Sequence, residues 1–470
     1  MLTDRPRVLL VIPSSVRESY LNTPVRAAVN VSPFLHMATV GAAAREVAEV
    51  EVLDLNLSAA PEPDLDAALR RFRPDWVGIT SHTAIFPKCL RHADQVKAWS
   101  PAVPVVVGGP HPSARPEEAL ESKSIDYVVR GEGDFAMRDL VRAENPTLTP
   151  GVSYKFEGMF HVKPEAAKLA DLDALPLPDW TLYDLEKFRG KTGVIFAKGG
   201  LFASLETSRG CPYFCPYCTV QGHSIRYKSI DRVVEEFRRV KALGFDEVHL
   251  VDDSFSQDVG RATAVCEALI ASGVNLPWTL DNGIRVDCVS REFFKVLRAS
   301  GCWQVGFGIE TGNERLIDEI GKKITLTQVR EAVRMAEEAG IETLGFFILG
   351  LPGETEESLE RTIRFARTLP LTYAKFTVSI PYPGTALWDL WAPKGYIKST
   401  DWSRYIRHPS EEPLYELPEL SWATLVAYHR RAFRAFYWRP SYVLRTLWRG
   451  LRSGKLRDFA KYALQTRWRG

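Results

Sequence analysis

The sequence predicts an α/β protein made of two successive sheet-and-helix units and a helical tail, and three patterns in its 470 residues carry that prediction. Five short apolar runs recur through the first third at intervals of roughly 25 residues, the spacing of strands joined by crossover helices. Six further strand-like runs lie between about residues 200 and 385, separated by amphipathic helical spans. From Tyr428 onward twelve Lys or Arg stand against one acid, Asp458, interleaved with Phe, Tyr and Trp.

Taken in order, the first unit reads RVLLVIP, VEVLDLN, WVGIT, VPVVVGG and IDYVVRG. Continuous rather than alternating apolar character marks strands buried on both faces, so residues 1–142 are expected to form a five-stranded parallel, Rossmann-like domain. Ligands on such sheets lie beyond the carboxyl ends of the strands. That rule selects Ser81, His82 and Thr83 after the third strand, Gly108, Gly109 and His111 after the fourth, and Gly131, Glu132 and Gly133 after the fifth. Glycine there lets the backbone approach a ligand closely. Residues 143–199 are expected to hold a hairpin, VSYKFEGMFHVK, turning at Glu157-Gly158. A linker, DLDALPLPDW, follows, whose spaced prolines forbid regular helix.

The second unit, residues 200–390, carries LFASLET, DEVHLVD, WTLDNGI, WQVGFGIE, LGFFILG and AKFTVSI. Six strands alternating with helical spans such as RVVEEFRRVKALG predict a partial (β/α)6 barrel, in which chemistry gathers at the C-terminal strand ends. After the first of these strands comes SRGCPYFCPYCTV, with Cys211, Cys215 and Cys218 in C-x-x-x-C-x-x-C spacing. A cubane [4Fe–4S] cluster normally takes four thiolates, so three leave one iron open to a small molecule. The alternative is structural zinc with His223 as a fourth ligand. Three cysteines crowded into eight residues, with Tyr217 before the last, favour the cluster over the spaced pairs of zinc sites.

Other polar or small residues fall after the later strands: Asp252 and Asp253, Asn282 and Arg285, Gly308 and Glu310, and Leu351 within GLPGET. Arg285 is of a type that pairs carboxylates bidentately. The glycines of GFGIETG leave room for a flat adenine or ribose. Tyr382, in PYPGTALW after the last strand, reads as a turn or as part of the substrate mouth.

Cys89, Cys266, Cys288 and Cys302 are scattered singly and are expected to be ordinary small buried residues. This is no disulfide framework, and a reducing cytoplasm fits. MLTDRPRVLLVIPSS lacks the basic n-region and longer apolar h-region of a signal peptide. No run of about 18 apolar residues suggests a membrane span. Because the whole chain carries a net charge of only +2, everything before the basic tail is acidic.

CPYFCPYC, DDSF, GFGIETG and FFILGLPGET together resemble the radical AdoMet superfamily. With VVVGGPHPSARPEEAL and IDYVVRGEGD ahead of them, the chain resembles its cobalamin-binding subclass, which includes methylases of unactivated carbon and the anaerobic magnesium-protoporphyrin ester cyclase. The resemblance covers about residues 1–390. It implies a cluster on the three cysteines and AdoMet at Tyr217, Asp252, Asp253, Asn282, Arg285, Gly308, Glu310 and Leu351. It also implies cobalamin on the glycine loops of the first domain, and flavodoxin or ferredoxin as electron donor. The implied reaction is methylation of an unactivated carbon through a 5′-deoxyadenosyl radical; a cyclase or oxidative enzyme of the same architecture is the alternative. A non-catalytic cobalamin sensor would have no use for the three cysteines. The Asp-x-His-x-x-Gly string that ligates cobalt in many cobalamin domains is missing around His36, His82, His92 and His111.

In the tail, residues 391–470, Phe433, Tyr437, Tyr442 or Val443, Leu447 and Leu451 are expected on one apolar face, flanked by Arg430, Arg434, Arg445 and Arg452. Basic, Trp-rich amphipathic helices read as membrane-surface elements. A helix packed on the barrel is the alternative. No nucleic-acid reading motif accompanies these charges, and nucleic acid is not expected as a partner.

Overall fold

The computed structural model describes residues 5–15, 31–191, 197–406 and 408–453. In the first sheet β1 (Arg7–Ile12), β2 (Glu49–Asp54), β3 (Trp76–Thr80), β4 (Val105–Gly108) and β5 (Tyr127–Val129) lie in the order 2-1-3-4-5, all parallel. Val8 through Ile12 are fully buried, as the continuous apolar run requires of a central strand. The hairpin expected in the connecting segment does form, as β6 (Val152–Phe156) and β7 (Met159–His161). It pairs antiparallel with β5 and so extends the first sheet to seven strands. Its turn places Glu157 and Gly158 at φ 49° and 78°, the left-handed pair that matches strand twist.

The second sheet contains all six expected strands in parallel, ordered β8 (Phe202–Leu205), β11 (Glu247–Leu250), β12 (Trp278–Ile284), β13 (Cys302–Glu310), β14 (Glu342–Leu349) and β15 (Tyr373–Val378). Between β8 and β11 a two-stranded antiparallel ribbon, β9 (Ser208–Arg209) and β10 (Arg226–Tyr227), closes off the cysteine loop. The loops leading into the barrel helices end in caps: Ser229, Asp258, Ser290, Thr325 and Thr355 each accept a backbone N–H of the first turn. Helices cover the outer face, where Trp278 sits with no exposed surface, edge-on to Phe255 at 5.9 Å and donating its indole N–H to Ser300 O at 3.1 Å.

The tail divides at Pro440. Helix Trp422–Tyr437 packs Phe433 and Phe436 on Phe376 of β15, so this part covers the barrel edge. Helix Pro440–Ser453 is tied down at its start, with the Tyr442 hydroxyl donating to Thr372 O at 3.0 Å and Arg439 donating to Arg367 O at 2.6 Å. Leu444, Leu447, Trp448 and Leu451 then face solvent, between 47% and 68% exposed. The single apolar face expected from the sequence is therefore two faces: Phe433, Tyr437 and Tyr442 point inward, Leu447 and Leu451 outward. Lys455 through Arg469 and the Arg452 side chain lie outside the described residues. Among the described residues no helix is long and apolar enough to cross a membrane.

The barrel core sets the stability of the second unit. Trp278→Ala, which deletes a fully buried ring and a hydrogen bond, is expected to cost about 3–5 kcal/mol, read as a lowered urea midpoint of the metal-free protein.

Candidate active site

The two sheets present the C-terminal ends of their strands to one shared cleft of about 750 Å³. Gly108, Gly109, Gly131, Glu132 and Gly133 line it from the first unit; Ser208, Gly210, Thr219, Val220, Asp253 and Asn282 line it from the second. Pro383 and Gly384 close one end, in the turn where Thr385 N–H donates to Tyr382 O at 3.1 Å. Tyr382 itself packs away, its hydroxyl donating to Tyr405 O at 3.3 Å.

The cysteine loop owes its shape to its ends. His223 N–H donates to Cys211 O and Gly222 N–H to Tyr213 O, both at 2.8 Å, and Cys218 N–H donates to Cys215 O at 3.0 Å. Gly210 makes the entry turn at φ 103°, where a Cβ would meet Ser224 O at 2.4 Å. All three thiols are partly exposed and none is in a disulfide. Burial pushes Cys218 up to about 11, with the neighbouring Cys215 and Cys211 adding to the rise. Tyr217 is pushed well above its ordinary range by burial and by Glu310 and Cys215. Among the described residues no three His, Cys, Asp or Glu side chains converge on one ion position. Cys89, Cys266 and Cys302 are buried as expected, but Cys288 is half-buried, in contact with Asp287 at 3.6 Å.

Below the loop the expected residues separate into those that reach the cleft and those that brace it. Asp253 lines the cleft and accepts Gly210 N–H at 2.9 Å; burial raises its pKa. Asp252 does not reach the cleft. It turns inward, accepting Thr207 N–H (2.7 Å) and the hydroxyls of Thr207 and Ser208 (2.6 Å each), and burial lifts it to about 6. Asn282 lines the cleft and donates to Val251 O at 2.6 Å. Arg285, expected to receive a ligand carboxylate, already has one: Asp287 takes its fork at 3.0 and 2.7 Å. Its guanidinium instead lies 3.6 Å over the Tyr213 ring and supports the cysteine loop. Glu310, at φ 66°, pairs with Lys322 above Gly308, where a Cβ would strike the Lys322 Nζ at 2.6 Å. Leu351 is fully buried and away from the cleft, its N–H held by Glu354 at 3.0 Å.

In the first unit the glycines form a cradle. Gly109, at φ 111°, lies so near Ser81 that a Cβ would meet Ser81 O at 2.3 Å. At Gly108 a Cβ would meet only Val129, at 3.6 Å, so the space a side chain would fill there is the cleft itself. Ser81 and Thr83 are buried beneath this loop, and neither they nor His82 line the cleft. Nor does His111. It is fully buried between Phe86 (4.2 Å) and Trp402 (5.0 Å), with no hydrogen-bond partner at either ring nitrogen, and burial, with Arg115 and His82 behind it, pushes it down to about 3. The histidine on the cleft wall of this unit is His36, in the first turn of helix Leu35–Ala44.

Glu132 lines the cleft as half of an ion pair rather than as a free ligand. Arg226 donates to it at 2.9 Å, and Arg226 and Arg209 outweigh its burial to hold its carboxyl below the usual range. Sequence reasoning missed the partner clamp: Arg209 donates to Asp134 at 2.7 and 3.0 Å and to Glu206 at 2.7 Å.

Residues 25–141 match the family model for the B12 binding domain, and residues 205–366 match that for the radical SAM superfamily. An uncharacterized methyltransferase of Pyrococcus horikoshii is 32% identical over 450 residues, 94% of each chain. The chain belongs to the cobalamin-binding radical SAM enzymes. Cytidylyl-2-hydroxyethylphosphonate methyltransferase of Streptomyces wedmorensis is 27% identical over 69% of this chain and 68% of its own. The structure of the radical S-adenosylmethionine methyltransferase TsrM from Kitasatospora setae, with cobalamin and a [4Fe-4S] cluster bound, matches with a TM-score of 0.68 at 20% identity, covering 83% of this chain and 75% of that one. The cofactors of this radical SAM enzyme are thus a [4Fe–4S] cluster, AdoMet and cobalamin. Three unpaired thiols at the mouth of the second sheet and a glycine cradle at that of the first suit such groups.

The neutral burial of His111 has a pH consequence. Its folded pKa lies below the unfolded 6.5, so the unfolded chain binds the extra proton between pH 6.5 and about 3, and stability falls as pH drops through that window. Urea midpoints measured at pH 7.5 and 5.5 should fall on acidification, and His111→Phe should reduce the drop by about 1 kcal/mol or more.

Proposed function

We propose that this cobalamin-dependent radical SAM methyltransferase transfers a methyl group to an unactivated carbon of an apolar, lipid- or tetrapyrrole-like substrate. The observation that carries the reading is the shared cleft, walled on one side by the glycine loops and on the other by Gly210, Thr219, Val220 and His223 at the two ends of the cysteine loop. Cys211, Cys215 and Cys218 would hold the cluster; Tyr217, Asp253, Asn282, Gly308 and Glu310 would flank AdoMet. Gly108, Gly109, Gly131 and Gly133 would meet the corrinoid. When bound, these groups supply one electron, a 5′-deoxyadenosyl radical and a transferable methyl.

The chain's own residues do the rest by position. Arg285 fixes Tyr213, and hence the cysteine loop, through a stacking contact and its Asp287 pair. The Glu310–Lys322 pair sets the charge beside Cys215. Arg209 and Arg226 hold the two mouths at a fixed separation. Hydrogen abstraction by a carbon radical needs no protein base, and no base is assigned to that step.

Supporting an apolar substrate is the outward stripe of Leu444, Leu447, Trp448 and Leu451, preceded by Trp438 at 63% exposure, in the chain's basic segment. Such a face suits an anionic membrane surface, where apolar burial and charge attraction add. The full chain should co-sediment with vesicles containing phosphatidylglycerol more than with phosphatidylcholine alone. Combined Leu444→Ser, Trp448→Ser and Leu451→Ser changes should cut that binding about tenfold or more; equal binding by the variant excludes the contact.

Anaerobic reconstitution followed by metal and product analysis tests the chemistry. Iron, sulfide and cobalt should all be retained, and turnover should give S-adenosylhomocysteine together with 5′-deoxyadenosine. Cys211→Ala, Cys215→Ala and Cys218→Ala together should abolish the brown absorbance and AdoMet cleavage. Zinc without iron overturns the reading, and 5′-deoxyadenosine without S-adenosylhomocysteine removes methyl transfer.

A further inference from the structure

The inner face of the barrel sheet carries a charged chain that neither the cysteine loop nor the glycine cradle uses. Strand alternation builds it. Val248, Leu250, Trp278 and Leu280 are buried in the core under the helices, so Glu247 and His249 on β11, and Thr279 and Asp281 on β12, share the opposite, concave face. His249 is wholly buried between two carboxylates: Nδ1 lies 2.7 Å from Asp281 Oδ2 and Nε2 lies 2.7 Å from Glu247 Oε1. Its ring stacks on Phe202 with centroids 3.9 Å apart. Glu247, also without exposed surface, is fixed from behind by the N–H groups of Lys198 and Gly199 at 2.6 and 3.0 Å. The Thr279 hydroxyl donates to Asp281 Oδ1 at 2.6 Å.

Asp281 is the open end of this chain. Its side chain is 35% exposed, whereas those of His249 and Glu247 are not exposed at all, and the next residue, Asn282, lines the cleft. Beside it the inner face is floored by glycine: Gly283 and Gly306 touch, and Phe346 lies over Gly306 so closely that a Cβ there would meet its ring at 2.7 Å. The Asp281 carboxylate thus stands beside a glycine floor and an aromatic ring, a polar group next to apolar surface of the kind that orients a ligand.

We infer that Asp281 is a substrate-orienting residue of the barrel, its carboxylate receiving a protonated amine on the otherwise apolar substrate, with His249 and Glu247 as positioning residues behind it. This rests on the barrel interior being the substrate side of the proposed methyltransferase. Two carboxylates share one imidazolium, and the accessible end of the chain is where a further cation can meet them. The imidazolium is secure: burial alone would lower His249, but Asp281 and Glu247 outweigh it and hold it at about 9.

The experiment measures binding of octylammonium, 1-octanol and octanoate to the full chain by calorimetry, for the wild type, Asp281→Asn and Asp281→Glu. The wild type should prefer octylammonium over octanol at least tenfold and bind octanoate least. Asp281→Asn should bring the ammonium-to-alcohol ratio close to one while leaving octanol affinity within about twofold; Asp281→Glu should restore part of the preference. A ratio unchanged in Asp281→Asn overturns the assignment, as does an equal loss of all three ligands with a lowered melting temperature, which marks a purely structural triad. Iron, sulfide and cobalt contents are measured in parallel. Their failure counts against the cofactor reading, and leaves the ammonium ratio to be read by itself.

Discussion

The arrangement of the site depends on the partly buried ion-pair clamp between the two units. Arg209, on the strand that opens the cysteine loop, reaches across to Asp134 on the RGEGD loop of the first domain and back to Glu206 at the end of β8. Arg226, its antiparallel partner in the ribbon, takes Glu132 and also donates to Leu169 O at 2.7 Å. Arginine suits this position because a rigid fork keeps its charge and fixes orientation as well as distance. Burying such groups is costly unless every charge is met, and here two arginines meet three carboxylates. The cost is recovered as geometry: both strand-end mouths open on one cleft at a set spacing.

Much of the architecture was legible because it rests on periodicity. β1 is buried on both faces, and its uninterrupted apolar run says so in sequence. The cysteine spacing was equally plain, since a short loop with three thiols has few structural uses. What escaped the sequence was which way a strand-end side chain turns. Asp252 and Asp253 are neighbours with the same chemistry, yet one braces Thr207 and Ser208 while the other faces the cleft. Parity at a strand end is set by where pairing stops, and no composition rule gives that to one residue.

Partners that satisfy a promising side chain before any ligand can were the second blind spot. Arg285 has the right chemistry for a ligand carboxylate, but Asp287, two residues on, satisfies it first. His111 sits in a glycine-rich turn that promised a ligand contact, but Trp402, far along the chain, covers it. The hairpin was readable as a hairpin; its pairing with β5, which lengthens the first sheet, was not. The Glu247–His249–Asp281 chain was hidden for a related reason, since its members are spread over two strands and each alone looks like an ordinary polar residue in a β run.

Trp402 also makes the C-terminal segment part of the first domain's surface. Its indole donates to Glu118, its ring meets His111 and Trp388, and Arg115 lies 5.9 Å over the Trp388 ring. Gly384, on the cleft, comes so near Ala114 that a Cβ would meet the alanine methyl at 3.0 Å. The segment after β15 therefore joins both units on a side of the cleft that the Arg209 and Arg226 clamp does not reach. Two independent ties resist hinge opening better than either alone, because a rotation about one stretches the other. With both ties in place, the spacing between the glycine loops and the cysteine loop is set by packing on one side and by ion pairs on the other.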